Sequence, residues 1–311
     1  MTKIPVGATI ARSYRFAFVD FFRILGVMWP AMLLMWLPSL LMQQQMTSLS
    51  AQMAAQDYSG VRQMWPFFLL FYLVAFILIF MQVIGIAQLA LDRHKGPVWF
   101  YFSFGKPVWR LIGSALLLIV AVIVGWIVIF LGSVLIGFVF GLIAKAVNNA
   151  AFGTAAAVLT GLAAIILWCG YFYAFIRLTF LLTPVVANED EGFALGRGWT
   201  LGRGNFWRMF AILLAAVGPF IILELVFVFG YIFKGVAFPP PHATAAQTAA
   251  YRAAVNARML EMTNGMYHYW YISFPLMIAF MVVFYGLCTG AQCFGYRALT
   301  EGEASSPVAV N

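Results

Sequence analysis

Long apolar runs alternate with short polar clusters along the chain. Six runs of about 20 or more residues cover positions 24–43, 67–91, 111–138, 155–180, 209–233 and 270–292. A helix of about 20 apolar residues spans the hydrocarbon core of a bilayer, whereas the strands of a membrane barrel alternate apolar and polar positions. The pattern therefore predicts an all-α, polytopic membrane helix bundle with six transmembrane helices.

The third run is longer than one span requires. Its apolar stretch covers residues 111–143, which is 33 residues, or about 50 Å of helix against a hydrocarbon core of about 30 Å. Either one helix tilts and projects from the membrane, or it breaks near Gly132-Ser133 into two spans. We favour one helix, because the break region holds no charge or proline and two spans would invert everything downstream.

The composition agrees with a membrane solvent. Hydrophobic residues make up 64% of the chain and charged residues only 9%, with a mean hydropathy of +0.94, whereas soluble domains carry about 25% charged residues. The net charge of +8 is explained by basic loops that face anionic membrane lipid. We therefore expect membrane lipid as a partner and no nucleic acid.

The distribution of basic residues predicts the orientation. With six spans, one side of the membrane receives 13 of the 18 lysines and arginines, and the positive-inside rule places that side, with both termini, in the cytoplasm. The 13 are Lys3, Arg12, Arg15, Arg23, Arg93, Lys95, Lys106, Arg110, Arg177, Arg197, Arg203, Arg208 and Arg297. The first 23 residues carry several charges and no small-residue cleavage site, so we expect an uncleaved first span.

The two long connections on the opposite side are polar and helix-forming. Residues 44–65 and 239–268 are rich in alanine, glutamine and methionine, and Pro239-Pro240-Pro241 ends the preceding span. The composition of residues 243–262 predicts a helix. We interpret both connections as short helical caps, with a binding lid as the alternative.

A recurring aromatic and arginine pattern stands before each outward-going span. An aromatic residue lies nine positions before an arginine, and a second aromatic immediately precedes that arginine. The three copies are Tyr14…Phe22-Arg23, Tyr101…Trp109-Arg110 and Trp199…Trp207-Arg208. We interpret these nine residues as membrane-interface anchors, with the arginines at the phosphate level and the aromatics in the interfacial belt.

The pattern also predicts where each span begins. Three positions before the arginines stand Asp20, Pro107 and Asn205, and these residue types favour the N-cap or the first turn of a helix. The segments upstream, at 14–19 and 98–105, are rich in aromatics and predict interfacial amphipathic elements. The third, at 198–204, holds three glycines, and we expect it to be the less regular copy.

These columns divide the chain into three related units within one domain. Ala87-Gln88 precedes Arg93 at the end of the first hairpin, and Ala291-Gln292 precedes Arg297 with the same spacing at the end of the last. We therefore expect a single membrane domain over 1–311, each unit being an interfacial helix followed by a hairpin. The internal repeats cover about 8–97, 98–192 and 193–300, followed by a cytoplasmic tail at 301–311.

Several of these segments resemble a bacterial family of polytopic inner-membrane proteins. The segments are RLTF at 177–180, PVV at 184–186, GWTL at 198–201, GNFWR at 204–208, YRF at 14–16 and FFRIL at 21–25. The family includes the membrane domain attached to some glycerophosphodiester phosphodiesterases and related standalone proteins of unknown function. The resemblance implies a six-helix membrane fold in the bacterial inner membrane. It does not imply hydrolysis, because few residues follow the last span.

Glu224 is the acidic residue placed deepest in a predicted span. It lies 15 residues into the fifth run, roughly 22 Å along the helix, and an intramembrane carboxylate is expensive and usually functional. Gln82, Gln88 and Gln292 stand near the inner ends of even-numbered spans. These four residues form a hypothetical ligand or proton pathway. The alternative is that Glu224 makes one packing hydrogen bond and the glutamines join helices. We interpret Arg177 as a snorkelling side chain.

The chain offers little else for catalysis. Its three cysteines and three histidines have no metal-ligand spacing, and no hydrolase, metalloprotease or phosphate-loop motif occurs. We therefore expect no enzyme activity, no cofactor and no metal. A cation site at 188–192 with His94, or an enzyme acting on lipid there, is a weaker alternative to a solvated acidic turn.

The favoured function is a scaffold or accessory factor in membrane organisation or a membrane complex, for which a membrane-protein partner is one option. The alternative is a small-molecule, ion or lipid transporter that uses Glu224. The sequence leaves the ligand, the partner and the oligomeric state open.

Overall fold

The computed structural model is all-helical in the residues that it describes, which are 3–54, 59–94, 98–147, 150–189, 192–233, 236, 238–240 and 242–304. In chain order the helices are α1 Val6–Val19, α2 Phe21–Ala54, α3 Ser59–Ala90, α4 Lys106–Val147, α5 Ala150–Thr179, α6 Leu182–Asn188, α7 Ala194–Leu201, α8 Phe206–Phe227, α9 Ala245–His268 and α10 Trp270–Ala304. A π-helical turn, Val228–Ile232, continues α8.

Several helices are long and apolar enough to cross a membrane. There are five of them in the described part of the chain, or up to six if the bent pair Val6–Val19 and Phe21–Trp36, which meet at 67°, is one span. The five are Met64–Ala90, Lys106–Val147, Gly153–Asn188, Phe206–Tyr231 and Trp270–Glu301. The molecule therefore has the character of an all-helical, multi-pass membrane protein.

The longest apolar run forms one helix. α4 continues for 42 residues without a break at Gly132-Ser133, a length of about 63 Å at 1.5 Å per residue. The prediction of a single helix is confirmed. The polar connection after the fifth run likewise contains a helix, α9, as its composition predicted.

The helices that carry the three arginines begin close to the predicted positions, Asp20, Pro107 and Asn205. α2 and α8 begin two residues before Arg23 and Arg208, and α4 begins four residues before Arg110. The expectation about the upstream segments is wrong in one respect. Residues 198–201 of the glycine-rich third copy are helical, as the end of α7, and 202–204 form a turn, whereas residues 98–105 of the middle copy are not helical.

The irregular middle segment lies across α2, and its position there explains its shape. A Cβ atom on Gly26 would lie 2.3 Å from the carbonyl oxygen of Val98, so only glycine admits the segment so close. The indole nitrogen of Trp29 donates to the carbonyl oxygen of Trp99 at 2.7 Å. The segment exchanges helical hydrogen bonds for contacts with α2, which a local sequence pattern does not reveal.

The hydrophobic core is concentrated at one end of the bundle. We call it the basic end: here α2, α4 and α8 begin, α3, α5 and α10 finish, and α1, α6 and α7 lie. α1 packs along α10, where a Cβ on Gly286 would lie 3.3 Å from Ala17 and one on Gly290 would lie 3.0 Å from Phe16. The two glycines therefore let α1 approach α10 closely within the monomer.

The opposite end of α3, α4, α5 and α8 is largely exposed. We call it the far end, meaning residues 65–74 of α3, 116–147 of α4, 153–168 of α5 and 221–231 of α8 and its π-helical turn. Large apolar side chains there are mostly exposed, such as Leu131 at 58% and Ile222 at 64%. Within this end α4 packs against α5. Along α8, Phe220 is the last residue with described ring contacts to α10.

Candidate functional site

The turn after α6 joins several helix ends at the basic end. An Nη atom of Arg93, just after α3, donates to the carbonyl oxygen of Asn188 at 2.6 Å. Arg110 of α4 donates to the carbonyl oxygen of Glu189 and, at 3.1 Å, to that of Gly192. Main-chain carbonyls that an ended helix leaves unpaired are thus satisfied by arginines from other helices.

The Glu189 side chain connects this turn to α7 and α10 as well. Its Oε1 accepts a hydrogen bond from Nε of Arg197 at 3.2 Å and from the hydroxyl of Tyr296 at 3.0 Å. The carboxamide of Asn188 donates to the same hydroxyl at 2.9 Å. The Arg197–Glu189 pair is partly exposed, at 40% and 26%, so it contributes to fixing geometry more than to stability.

Arg177 is a buried structural residue, and its interpretation as a snorkelling side chain is wrong. It is only 6% exposed, and its Nε and Nη2 donate to the carbonyl oxygen of Trp199 at 3.0 and 2.7 Å. Its remaining Nη1 donates to the hydroxyl of Tyr173 at 3.0 Å. The guanidinium also stacks 3.9 Å above the Trp199 ring, an arrangement suited to arginine's planar fork. Arg177 thereby fixes α7 to α5.

Two further arginines tie distant segments together. Arg208 of α8 donates to the carbonyl oxygen of Ile4 at 2.9 Å, and the Asn205 carboxamide oxygen accepts from the Ile4 amide at 3.1 Å. Asn205 is the N-cap residue of α8, but its side chain makes no capping hydrogen bond. Arg297 of α10 reaches the carbonyl oxygen of Leu91 at 2.9 Å.

The first aromatic of each repeated motif faces the protein or contacts it. The Tyr14 hydroxyl donates to the Ala215 carbonyl oxygen at 3.0 Å, and Trp199 forms the Arg177 site. Tyr101 is buried, and its hydroxyl donates to Oε1 of Gln88 at 3.3 Å. Burial raises the pKa of Tyr101, so the hydroxyl keeps its proton at neutral pH and acts as a donor.

The second aromatic of each motif faces outward. Phe22, Trp109 and Trp207 are 66%, 54% and 75% exposed. Arg23 beside Phe22 is itself exposed, and its one ion pair within the described residues is with Asp20, three positions earlier, at 2.8 Å. In each copy of the motif, therefore, the first aromatic contacts the protein and the second faces outward. The outward aromatics are the most exposed of the six, and Trp199 is 38% exposed.

The three glutamines differ in their surroundings. Gln82 is 2% exposed and its Nε2 donates to the carbonyl oxygen of Met28 at 3.0 Å, which joins α3 to α2. Gln88 accepts from Tyr101, and Gln292 is half-buried on α10. Gln82 and Gln88 are used in hydrogen bonds between segments, as the packing alternative expects.

Glu224 is separated from the glutamines and lies at the far end. It is exposed on α8, among exposed apolar neighbours that include Leu223 and Leu225. The π-helical turn begins four residues later at Val228, and such turns are frequent at functional sites. The structure thus keeps the four residues of the hypothetical pathway in two different regions.

Pro219 lies inside α8, five residues before Glu224. Proline has no amide hydrogen, so the carbonyl oxygen of Ala215, four residues earlier, lacks its helical donor. The Tyr14 hydroxyl supplies a hydrogen bond to that oxygen. The residue that satisfies the backbone opened by Pro219 thus comes from α1, and the repeated motif had singled it out for a different reason.

The metal and lipid-enzyme alternatives gain no cluster from the described residues. No group of three His, Cys, Asp or Glu side chains that could hold a metal occurs among them. Asp190 and Glu191, which belong to the hypothetical cation site, lie outside them. His94 packs 5.4 Å from the Tyr101 ring, and both its ring nitrogens are buried without a hydrogen-bond partner among the described residues.

α9 carries an open surface cavity of about 580 Å³, lined by Ala243, Thr248, Arg252, Asn256 and neighbouring alanines. It lies in the connection for which a helical cap or a lid was considered.

Comparisons with protein-family models, with curated proteins and with solved structures give no match.

Proposed function

We propose that the chain is an integral protein of the bacterial inner membrane without catalytic activity of its own, and that it serves as a scaffold or accessory factor in membrane organisation or a membrane complex. In this proposal six spans form three related units, and both termini lie in the cytoplasm. The family resemblance in the sequence supports the same placement.

The use of the polar side chains at the basic end carries this proposal. Buried or partly buried arginines there donate to main-chain carbonyls of other segments, as Arg177, Arg110 and Arg208 do. These hydrogen bonds fix the helices of the basic end relative to one another. They also occupy the side chains, so few polar groups are left for a reaction. Beside them, the outward aromatics Phe22, Trp109 and Trp207 suit a stable position at the membrane interface.

A stoichiometric membrane partner is the test of a scaffold. We expect crosslinking in native membranes, followed by purification under denaturing conditions, to recover one reproducible partner. A double variant of two exposed aromatics, Trp109→Ala with Trp207→Ala, should retain the fold. It should reduce recovery of the partner if these aromatics hold the basic end at the membrane interface. Recovery of no partner in any growth condition would contradict the scaffold function.

Reporter fusions after residues 50, 150 and 250 test the topology separately. The six-span proposal expects all three to report the periplasmic side. A cytoplasmic signal at any of them would contradict it.

A transporter is the second candidate, and Glu224 is the observation that favours it. A carboxyl group on a membrane-spanning helix is costly and usually functional, and this one is followed by a π-helical turn. We expect Glu224→Gln to abolish transport of the correct solute in proteoliposomes while Ile222→Leu on the same helix does not. Equal activity of the two variants would exclude a pathway through Glu224.

A further inference from the structure

Two polar side chains at the far end lie at the same distance from the basic end. Glu224 stands 16 residues after Arg208 on α8, and Trp126 stands 16 residues after Arg110 on α4. Sixteen residues correspond to about 24 Å of helix. Since the two arginines hold equivalent positions in the repeated motif, the two side chains occupy equivalent depths in the hydrocarbon region.

Glu224 has no partner within the described chain. No hydrogen bond or ion pair joins it to another described residue, and the residues on both sides of it are apolar and exposed. A carboxyl group that faces lipid cannot exchange its lost water for another acceptor or donor, which is why such groups almost always face a polar partner. The position therefore calls for a hydrogen-bond donor from outside the monomer's packed core.

Trp126 offers such a donor in a surface of matching character. It is 55% exposed, and the structure gives its indole N–H no described acceptor. It lies in a shallow groove of about 450 Å³ lined by apolar side chains of α4 only. The others are Val122, Ile123, Ile127, Phe130 and Leu131. The Trp168 ring of α5 meets the Trp126 ring edge-to-face at 5.4 Å and supports it from behind.

The two groups do not meet within one molecule. α4 packs along α5, where a Cβ on Gly125 would lie 2.9 Å from the Tyr171 ring. α5 in turn reaches α8 near the basic end, where Phe172 and Phe210 are in contact at 5.7 Å. In the described part of the chain α4 and α8 are thus linked through α5.

We propose that the occupant of the α4 groove is α8 of a second copy of this chain, with the Trp126 indole N–H of one copy donating to the Glu224 carboxyl of the other. Two copies inserted in the same direction place all four groups at one depth. A two-fold axis along the membrane normal then forms the contact twice, which closes the assembly as a dimer. Ile221 and Phe227, three residues before and after the carboxyl on the same face of the helix, are exposed and supply apolar surface for the groove.

This dimer does not depend on whether the chain acts as a scaffold or as a transporter. Its test is therefore independent of the partner and transport experiments.

Intermolecular crosslinking tests the contact directly. Two differently tagged chains are co-expressed in a background with Cys169, Cys288 and Cys293 replaced by alanine. One carries only Glu224→Cys and the other only Trp126→Cys, and native membranes are treated with a short bismaleimide. We expect a crosslinked species that carries both tags. The matched control replaces Glu224→Cys with Ile222→Cys, which lies about 200° around the same helix, and should give at least a fivefold lower yield.

A mutant cycle then tests the hydrogen bond, with dimer fraction in detergent measured at several protein concentrations. Trp126→Phe keeps the ring but removes the N–H, and Glu224→Leu removes the acceptor. We expect each to lower the dimer association constant about three- to tenfold, as interhelical hydrogen bonds in membranes do, and the double variant to lower it no further. Glu224→Gln keeps an acceptor and should dimerise like the parent. Unchanged thermal stability of the monomer would show that each variant folds.

Three results would overturn the proposal. They are equal crosslinking yields from positions 222 and 224, crosslinks only to a different protein, and additive losses in the mutant cycle.

Discussion

The basic end and the far end are made of the same apolar residue types, yet they use them differently. Ile24 and Met28 of α2 are fully buried at the basic end, whereas Leu131 of α4 is 58% exposed at the far end. Hydropathy alone does not distinguish these positions, because lipid accepts an apolar side chain as readily as a protein core does. What distinguishes the basic end is its set of hydrogen bonds from arginine to main-chain carbonyls, together with glycines that allow close contact.

Replacement of Arg177 should give the largest loss of stability. Arg177→Leu leaves the Trp199 carbonyl without two donors and removes the stacking on its ring, so we expect a loss of about 3 kcal/mol. Unfolding by denaturing detergent, followed by tryptophan fluorescence, measures it. Arg23→Leu is the matched control: Arg23 is 54% exposed and pairs only within its own turn, so its effect should stay below about 1 kcal/mol. Equal losses would remove the structural distinction between these two arginines.

A pair of glycine substitutions compares the two ends directly. Gly26→Ala would place a Cβ 2.3 Å from the Val98 carbonyl oxygen, which is backbone and cannot turn away. We expect it to cost about 2 kcal/mol. At the far end a Cβ on Gly141 would meet no atom within 4 Å, so Gly141→Ala should be neutral or stabilise the helix by up to about 1 kcal/mol. The same unfolding assay measures both, and a larger cost at Gly141 would reverse the comparison.

The contact between Tyr14 and the backbone opened by Pro219 should give the smallest effect and a specific coupling. Tyr14→Phe removes the only hydroxyl that bonds the Ala215 carbonyl oxygen in the described structure, and we expect a cost of about 1 kcal/mol. In a Pro219→Ala background residue 219 has an amide that can bond that oxygen, so Tyr14→Phe should then cost almost nothing. Equal costs in both backgrounds would show that the hydroxyl acts elsewhere.

The sequence predicted the features that depend on neighbouring residues along the chain. Continuous hydrophobicity predicted one long α4, and the residue types at 20 and 205 predicted helix starts close to Phe21 and Phe206. These predictions succeed because helix formation over such lengths is a local property reinforced by the apolar solvent.

The contacts of the candidate site could not be predicted from the sequence, because they join segments that are far apart along the chain. Arg177 meets the carbonyl of Trp199 across 22 positions, and Arg208 meets that of Ile4 across 204. A main-chain acceptor carries no residue signature, so no spacing rule reveals such a pair. Trp126 had a detectable signal, since it follows Arg110 by the interval that separates Glu224 from Arg208, but its meaning depends on exposure.

Distances between spin labels at the two ends test the central claim most directly. One doubly labelled variant uses the exposed basic-end positions Phe22 and Trp207, and the other uses the exposed far-end positions Val139 and Phe229. Both are diluted with excess unlabelled protein in lipid nanodiscs, so that only distances within one molecule are measured. We expect one narrow distance distribution at the basic end and a longer, broader one at the far end. A far-end distribution as narrow as that of the basic end, at a distance typical of packed helices, would contradict a bundle that is packed at one end and open at the other.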